Sequence, residues 1–335
     1  MNAELVKYLK VSGIKGGHVQ GIAYDRKNEC MYLSFTTVLI KTDMEGNILG
    51  SVTGIVGHLG CIAMGDDGRV YGSLEYKNDS IGKGVAGMMG VKDEIPDGFY
   101  IAIFDVDRID RVGMDGYADG VMTAVYLDEV TKDYVAPGHK YGCSGIDGVT
   151  FAPAVGRADG KRYLYVAYGI YSDTNRDDND NQIILKYDIE GWDKLRLGLD
   201  QTNMHKIGPQ KPDAKYFVMT GNTTYGVQNL EYDASSGTVL AAVYKGRKEK
   251  FPNYSMFFID WTREPEGDKL FLADIGERDE ATGIRGSCFP LGTTGMVSLG
   301  EGLFYVSSSF NNERGQGSVV ELYKLDSVSG LMERV

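Results

Sequence analysis

The sequence predicts an all-β chain folded as a five-bladed β-propeller of four-stranded antiparallel blades, one domain over residues 1–335. Three observations carry this. A glycine-led pair of apolar segments returns five times, short turns rich in Asp, Asn and Gly join the segments of each pair, and no long stretch keeps a 3.6-residue apolar period. The copies start at Gly17, Gly57, Gly145, Gly226 and Gly292, with first apolar anchors Ile22, Ile62, Val149, Leu230 and Met296. The anchors are 40, 87, 81 and 66 residues apart. A sandwich or barrel is the alternative, and it gives no reason for the same pair to return.

Each blade follows from its own residues. The innermost strands are expected near 17–24, 57–64, 145–151, 226–232 and 292–298, and the turns DRKN, GDDG, PAVGRADGK, DASSG and LGEG lead into the second strands. Outer strands are read at VLIKTDMEGNILGSV, FYIAIFDVDRI with MTAVYLDEV, QIILKYDI with AKYFVMTG, SMFFIDW with DKLFLADI, and SVVELYKLD with LMERV. A long loop, Lys77 to Asp97, contains GKGVAGMMG and reads as a lid. The segment Leu5 to Val11 alternates as a strand and is expected to pair with SVVELYKLD, closing the ring.

Composition narrows the partners. Apolar residues at 42% and charged residues at 24% are globular values, and 35 Lys+Arg against 47 Asp+Glu give a net charge of −12. That charge repels phosphate backbones and anionic lipid, so the expected partner is a small polar molecule, with no nucleic acid and no membrane. No apolar stretch approaches the roughly 20 residues of a bilayer span, and the first residues do not read as a signal peptide. Cys30, Cys61, Cys143 and Cys288 are far apart with no C-x-x-C pair, which reads as reduced thiols and a cytoplasmic protein.

In a propeller the innermost strands begin at one mouth of the channel, where the loops after the second strands also emerge. Two residues before the anchors stand Gln20, Gly60, Asp147, Gln228 and Thr294, and one before them Gly21, Cys61, Gly148, Asn229 and Gly295. Four before come His18 and His58, at the same repeat position in consecutive blades. The second strands end with Glu75, Tyr168, Tyr171, Lys245 and Arg247. Polar groups converging on one axis need partners, either channel water or a ligand. The expected site therefore has Glu75 or Asp147 as general base and His18 or His58 as acid or metal ligand. Gln20, Gln228, Asn229, Tyr171 and Thr294 would hold the ligand, with Lys245 and Arg247 favouring an anionic group. A divalent cation, calcium or zinc, in the central channel is a further expectation. The oxygen-rich stretch SDTNRDDNDNQ lacks the glycine and closing glutamate of an EF-hand and reads as a solvated loop tip. No G-x-S-x-G, H-E-x-x-H, Walker or dinucleotide motif occurs.

At VQGIAYD and VQNLEYD the blades resemble the repeats of plant- and bacterial-type glutaminyl-peptide cyclotransferases, and more weakly, in architecture only, calcium-dependent five-bladed nucleotidases. The first resemblance implies a ring of five blades, with Gln20 matching the family's first-blade glutamine. The family's second-blade glutamate, its acid/base, falls at Leu59 to Cys61, where this chain has no carboxylate, and the channel tryptophans are replaced by Asp147 and Gln228. Two functions of different class follow. One is a hydrolase or cyclising transferase acting on a polar, anionic small molecule at the channel mouth. The other is a non-catalytic propeller that captures a ligand or partner on the same face.

Overall fold

The computed structural model describes residues 5–91 and 95–335 and shows a five-bladed β-propeller. Blade one is Val19–Asp25, Cys30–Phe35, Val38–Asp43 and Ile48–Thr53. Blade two is His58–Met64, Val70–Tyr76, Gly98–Phe104 and Met122–Tyr126. Blade three is Cys143–Pro153, Arg162–Ile170, Asn181–Tyr187 and Ala214–Met219. Blade four has the ladder Thr223–Asp233, Thr238–Lys245 and Met256–Asp260, and blade five has Met296–Gly300, Leu303–Asn312 and Gly315–Leu325.

The core is not one cluster but five, one between each pair of adjacent blades. Ile62 and Leu74 of blade two pack with Tyr32 and Leu39 of blade one, and Cys61 and Ile101 pack with Val149 and Val166 of blade three. Blades three and four share Tyr165 and Trp261, whose rings meet edge to face with centroids 4.8 Å apart. Blades four and five share Met256, Phe258 and Phe304, and blades five and one share Tyr305, Val320, Ile22 and Leu33. Five interfaces require the ring to close, and the chain ends close it. Tyr8–Ile14 pairs antiparallel with Gly315–Leu325, placing Leu9 opposite Val320. Met332–Arg334 covers the rest of the same edge. The closing strand begins three residues later than the sequence suggests, at Tyr8, with Leu9, Val11 and Ile14 buried in the interface and Leu5 packing against it from outside the strand.

Four expectations are corrected here. Residues 292–295 are not strand: Pro290 opens a 3₁₀ turn through Thr294, and the inner strand of blade five starts at Met296. Blade four has no regular fourth strand. Lys269–Leu270 pairs instead, in parallel, with the outer strand of blade three, and Leu272 and Ser287 make isolated bridges to Ile259 and Met256. Within MTAVYLDEV the strand ends at Tyr126, and Asp128–Val135 forms helix α2, with Asp128 and Glu129 in the first turn where the helix dipole favours them. In the expected lid, Ser80–Met88 is helix α1, capped by Asp79 Oδ1 accepting from the Gly82 amide at 2.8 Å. Among the described residues no helix is long and apolar enough to cross a membrane.

The closing strand gives a test. Leu9 is 2% exposed between blades, so Leu9→Ala should cost about 2–4 kcal/mol, and removing residues 1–14 should cost more and expose an unpaired edge. Thermal melts and size-exclusion chromatography read both effects, and an unchanged melting temperature in the truncated chain would refute closure by this strand.

Candidate functional site

The site is built by a repeated irregularity. In the inner strands of blades one to four, the pairing register slips at the same repeat position: between Val19 and Gly21, Leu59 and Ile62, Ile146 and Val149, and Val227 and Asn229. Each slip is a β-bulge, which inserts one residue and re-aims its side chain. Gln20, Asp147 and Gln228 sit at these bulges, and all three line a cavity of about 360 Å³ at the mouth where the inner strands begin. His18, His58, Glu75 and Lys77 complete its polar wall, and Ile81, Ile146, Tyr225 and Tyr244 its apolar one.

Four ionisable groups from two blades define the electrostatics. His58 pairs with Glu75 across the strands of blade two. Its Nδ1 lies 3.4 Å from Glu75 Oε1 and has no hydrogen-bond partner. Lys77, two residues beyond Glu75 and therefore on the same strand face, places Nζ 2.5 Å from the same oxygen and donates to the Ser144 carbonyl at 3.0 Å. The Ile146 amide donates to Glu75 Oε2 at 3.2 Å. Burial alone would raise the pKa of Glu75, yet Lys77 and His58 hold it below the usual carboxylate range. Lys77 is in turn held above its ordinary value, Glu75 outweighing the cost of burial.

Asp147 has the opposite fate. Burial pushes its carboxyl up to about 7, the Glu75 charge adds to the rise, and His58, Lys77 and the Cys61 amide oppose it. Burial pulls His58 down, but Glu75 and Asp147 leave it above its ordinary value. His18 stands exposed at the rim; partial desolvation and the nearby His58 push it below its ordinary value, and its Nε2 is 3.2 Å from Gln20 Nε2. Two glycines make this crowding feasible: a Cβ on Gly60 would strike Asp147 Oδ1, and one on Gly145 would strike Glu75 Oε2.

The structure thus brings His18, Gln20, His58, Glu75, Asp147 and Gln228 into one cavity, and leaves the other expected residues outside it. Asn229 is buried one layer below, donating to the Gln20 and Thr293 carbonyls at 2.9 and 3.1 Å. Thr294 belongs to the 3₁₀ turn and donates to the Ser307 carbonyl at 2.7 Å. Tyr171 donates to Asp79 Oδ2 at 3.0 Å, at the cap of α1, and Tyr168 donates to Asp133 within the core. Lys245 and Arg247 are exposed away from the cavity. Strand parity explains Lys245: Tyr244 faces the cavity, so its neighbour faces the other way. Lys77, Tyr225 and Tyr244 are among the cavity residues that register reasoning missed, with Ile81, Ser144 and Ile146. Lys77 was reachable, since it repeats the parity of Glu75.

Among the described residues no three His, Cys, Asp or Glu side chains gather closely enough to hold a metal ion. Glu75 is engaged by Lys77 and His58, and His18 by Gln20. The stretch 172–182 is more than a solvated tip. Asp180 and Asn179 are buried and accept from the ammonium of Lys248, which also donates to the Arg176 carbonyl. A lysine from blade four occupies the place a cation would take.

No family model and no curated protein matches the chain. Solved structures of similar shape include the PQQ-bound aldose sugar dehydrogenase from Streptomyces coelicolor, 13% identical with a TM-score of 0.42, covering 96% of this chain and 100% of that one. A gluconolactonase from Xanthomonas campestris is 9% identical with a TM-score of 0.44, covering 96% and 78%. The Dos1 propeller is 12% identical with a TM-score of 0.38; the chain is covered to 95% and spans 58% of that structure. Likeness at this level says nothing about activity.

The buried pair supplies a stability test. Lys77→Met leaves the Glu75 carboxylate without its ammonium, at a cost of roughly 3–5 kcal/mol. Because Glu75 is held below its unfolded pKa, the pair's contribution is present above that pKa and fades as pH falls through the folded value. The gap between the melting temperatures of variant and wild type should be wide at pH 7 and narrow near pH 3; a pH-independent gap would rule out the ion pair as its source.

Proposed function

We propose that the protein is an enzyme acting on a small polar molecule by general acid–base catalysis, with hydrolysis or cyclising transfer as the reaction class. The observation that carries this is the bulged Asp147 carboxyl, with a pKa near 7, sharing a cavity with a His58 whose pKa is raised. Carboxyl groups whose surroundings drive their pKa values apart are the usual mark of divided acid–base roles. Glu75 stays ionised beside Lys77 and steadies charge on His58, while Asp147 can exchange a proton near neutrality.

In hydrolysis, Asp147 carboxylate takes a proton from water as the water oxygen bonds to the substrate carbonyl. His58 imidazolium gives its proton to the leaving oxygen or nitrogen as that bond breaks. Proton transfer from Asp147 back to His58 then resets the pair. In cyclising transfer, the nucleophile is an amine of the substrate itself and ammonia leaves. The resemblance to glutaminyl-peptide cyclotransferases bears on the second form. The second-blade carboxylate is missing, but Asp147 Oδ1 fills the space a side chain at Gly60 would take, so a carboxyl from blade three stands there. His58 supplies the positive charge for an anionic substrate group in place of Lys245. Gln20 and Gln228 offer amide donors and acceptors to fix its orientation.

The test is turnover of small esters, lactones and amino-terminal glutaminyl peptides by purified protein across pH 5–9. The rate should rise as Asp147 loses its proton around pH 7 and fall again as His58 loses its own, a bell-shaped profile. Asp147→Asn should lower kcat by about 10²–10⁴-fold and abolish the acidic limb. Folding stability should move the other way. A carboxyl whose folded pKa is raised costs stability as pH climbs above the unfolded value, so Asp147→Asn should lose less stability than wild type between pH 4 and 7. Turnover that survives in Asp147→Asn would overturn the catalytic assignment, and ligand binding without any turnover would favour the non-catalytic capture reading.

A further inference from the structure

The axial cavity has a neighbour. A second cavity of about 320 Å³ lies beneath α1, lined by Val56, Tyr76, Val85 and Ala86. His58, Glu75 and Lys77 line both cavities. They form the shared wall, polar where it faces Asp147 and Gln228, and bordered by apolar side chains where it faces α1. The helix touches both spaces. Ile81, 38% exposed, lines the axial cavity, while Val85 and Ala86 are buried over the side cavity. Glycine at three of its nine positions, Gly82, Gly84 and Gly87, weakens α1 relative to an alanine-rich helix. Its attachment at the amino end runs through Asp79, which caps the helix and accepts from Tyr171.

We propose that the substrate is amphiphilic: its polar part occupies the axial cavity, its apolar part lies in the cavity beneath α1, and the reacting bond sits at the wall of His58 and Glu75. This rests on the acid–base reading given above and adds the substrate class. An acyl or alkyl chain, or an aryl group, attached to a polar ester, lactone or amide has this shape. Ligand cavities of a few hundred Å³ that combine an apolar lining with a few polar groups are the common form of small-molecule sites. The side cavity places such a lining against the proton-transfer groups, where burial of an apolar group orients the polar one.

The experiment uses 1-alkanols from propanol to decanol as probes of the full chain, with binding read from the rise in melting temperature as alkanol concentration increases. Affinity should tighten by roughly three- to fourfold per methylene and level off once the side cavity is filled. A crystal soaked in 1-octanol should show its chain against Val56 and Ala86. Ala86→Phe and Val56→Phe fill the cavity from opposite walls, and each should bring the longer alkanols back toward the affinity of propanol. Affinity that is flat with chain length, or a chain-length gain that persists in both filled variants, would overturn the proposal. The two readings fail separately. A normal alkanol series with undiminished turnover in Asp147→Asn removes the acid–base assignment alone, and a flat series with turnover lost in Asp147→Asn removes the apolar subsite alone.

Discussion

Everything in this molecule depends on how little room five inner strands leave around one axis. At the position before each anchor the strands approach so closely that a Cβ on Gly21 would lie 2.8 Å from the Ile62 amide nitrogen and 2.9 Å from Cys61 Cα, and one on Gly295 would lie 2.8 Å from the Ile22 nitrogen. Glycine is therefore the residue at this position in blades one, three and five. Where it is not, the side chain bonds across the axis. Asn229 donates to carbonyls of blades one and five and accepts from Cys61 of blade two at 3.2 Å. Ser34 and Ser73, on second strands, donate to the Gly60 and Asp147 carbonyls of the next blade, each at 2.7 Å. Closely packed strands with satisfied backbone groups make a rigid floor, and the bulges directly above it turn Gln20, Asp147 and Gln228 into the cavity.

Crowding also separates the two carboxyl groups. Glu75 and Asp147 line one small cavity, where two ionised carboxylates would repel strongly. Lys77 decides between them by standing 2.5 Å from Glu75. Glu75 remains charged, and Asp147 is driven up to about 7, because burial and the Glu75 charge outweigh His58, the more distant Lys77 and the Cys61 amide. A buried ion pair is a poor source of stability in itself. Its effect here is selective, because it sets which acid titrates in the working pH range.

Much of this was legible in the sequence, and the limits have physical causes. The repeated Gly-led strand pairs located four inner strands and the blade number, because alternation and turn chemistry are local. Register then placed His18, Gln20, His58, Glu75, Asp147 and Gln228 on one mouth. It failed for Lys245, where a one-residue error in strand parity exchanges the two faces, and for Thr294, where Pro290 replaces the strand start with a 3₁₀ turn. Helix α2 was hidden because eight residues give too few turns for an apolar period to show. The partner of Asp180 was out of reach for another reason: Lys248 is 68 residues away in sequence, and only the packing of blade three against blade four brings its ammonium to the loop.

The opposite mouth of the channel shows why the chemistry is assigned to the strand-start side. It too has cavities, lined by Arg162, Glu231 and Ser298, and it too holds a carboxyl raised by burial, Glu231 at about 8. There, however, the polar groups are engaged with one another. Glu231 Oε1 accepts from the Ser298 amide at 2.7 Å, Arg162 donates to Asp66 and to the Phe151 carbonyl at 2.8 and 2.6 Å, and Ser298 donates to Asp233 at 2.7 Å. These contacts join blade two to blade three and blade four to blade five, and they engage the groups that make them. At the strand-start mouth His58 Nδ1 is buried without a hydrogen bond beside a carboxylate 3.4 Å away. A buried polar atom left in that state costs free energy in the folded protein unless a ligand or solvent completes it. That one buried imidazole nitrogen is the difference between the two mouths, and it is the reason the active site is proposed at the strand-start end.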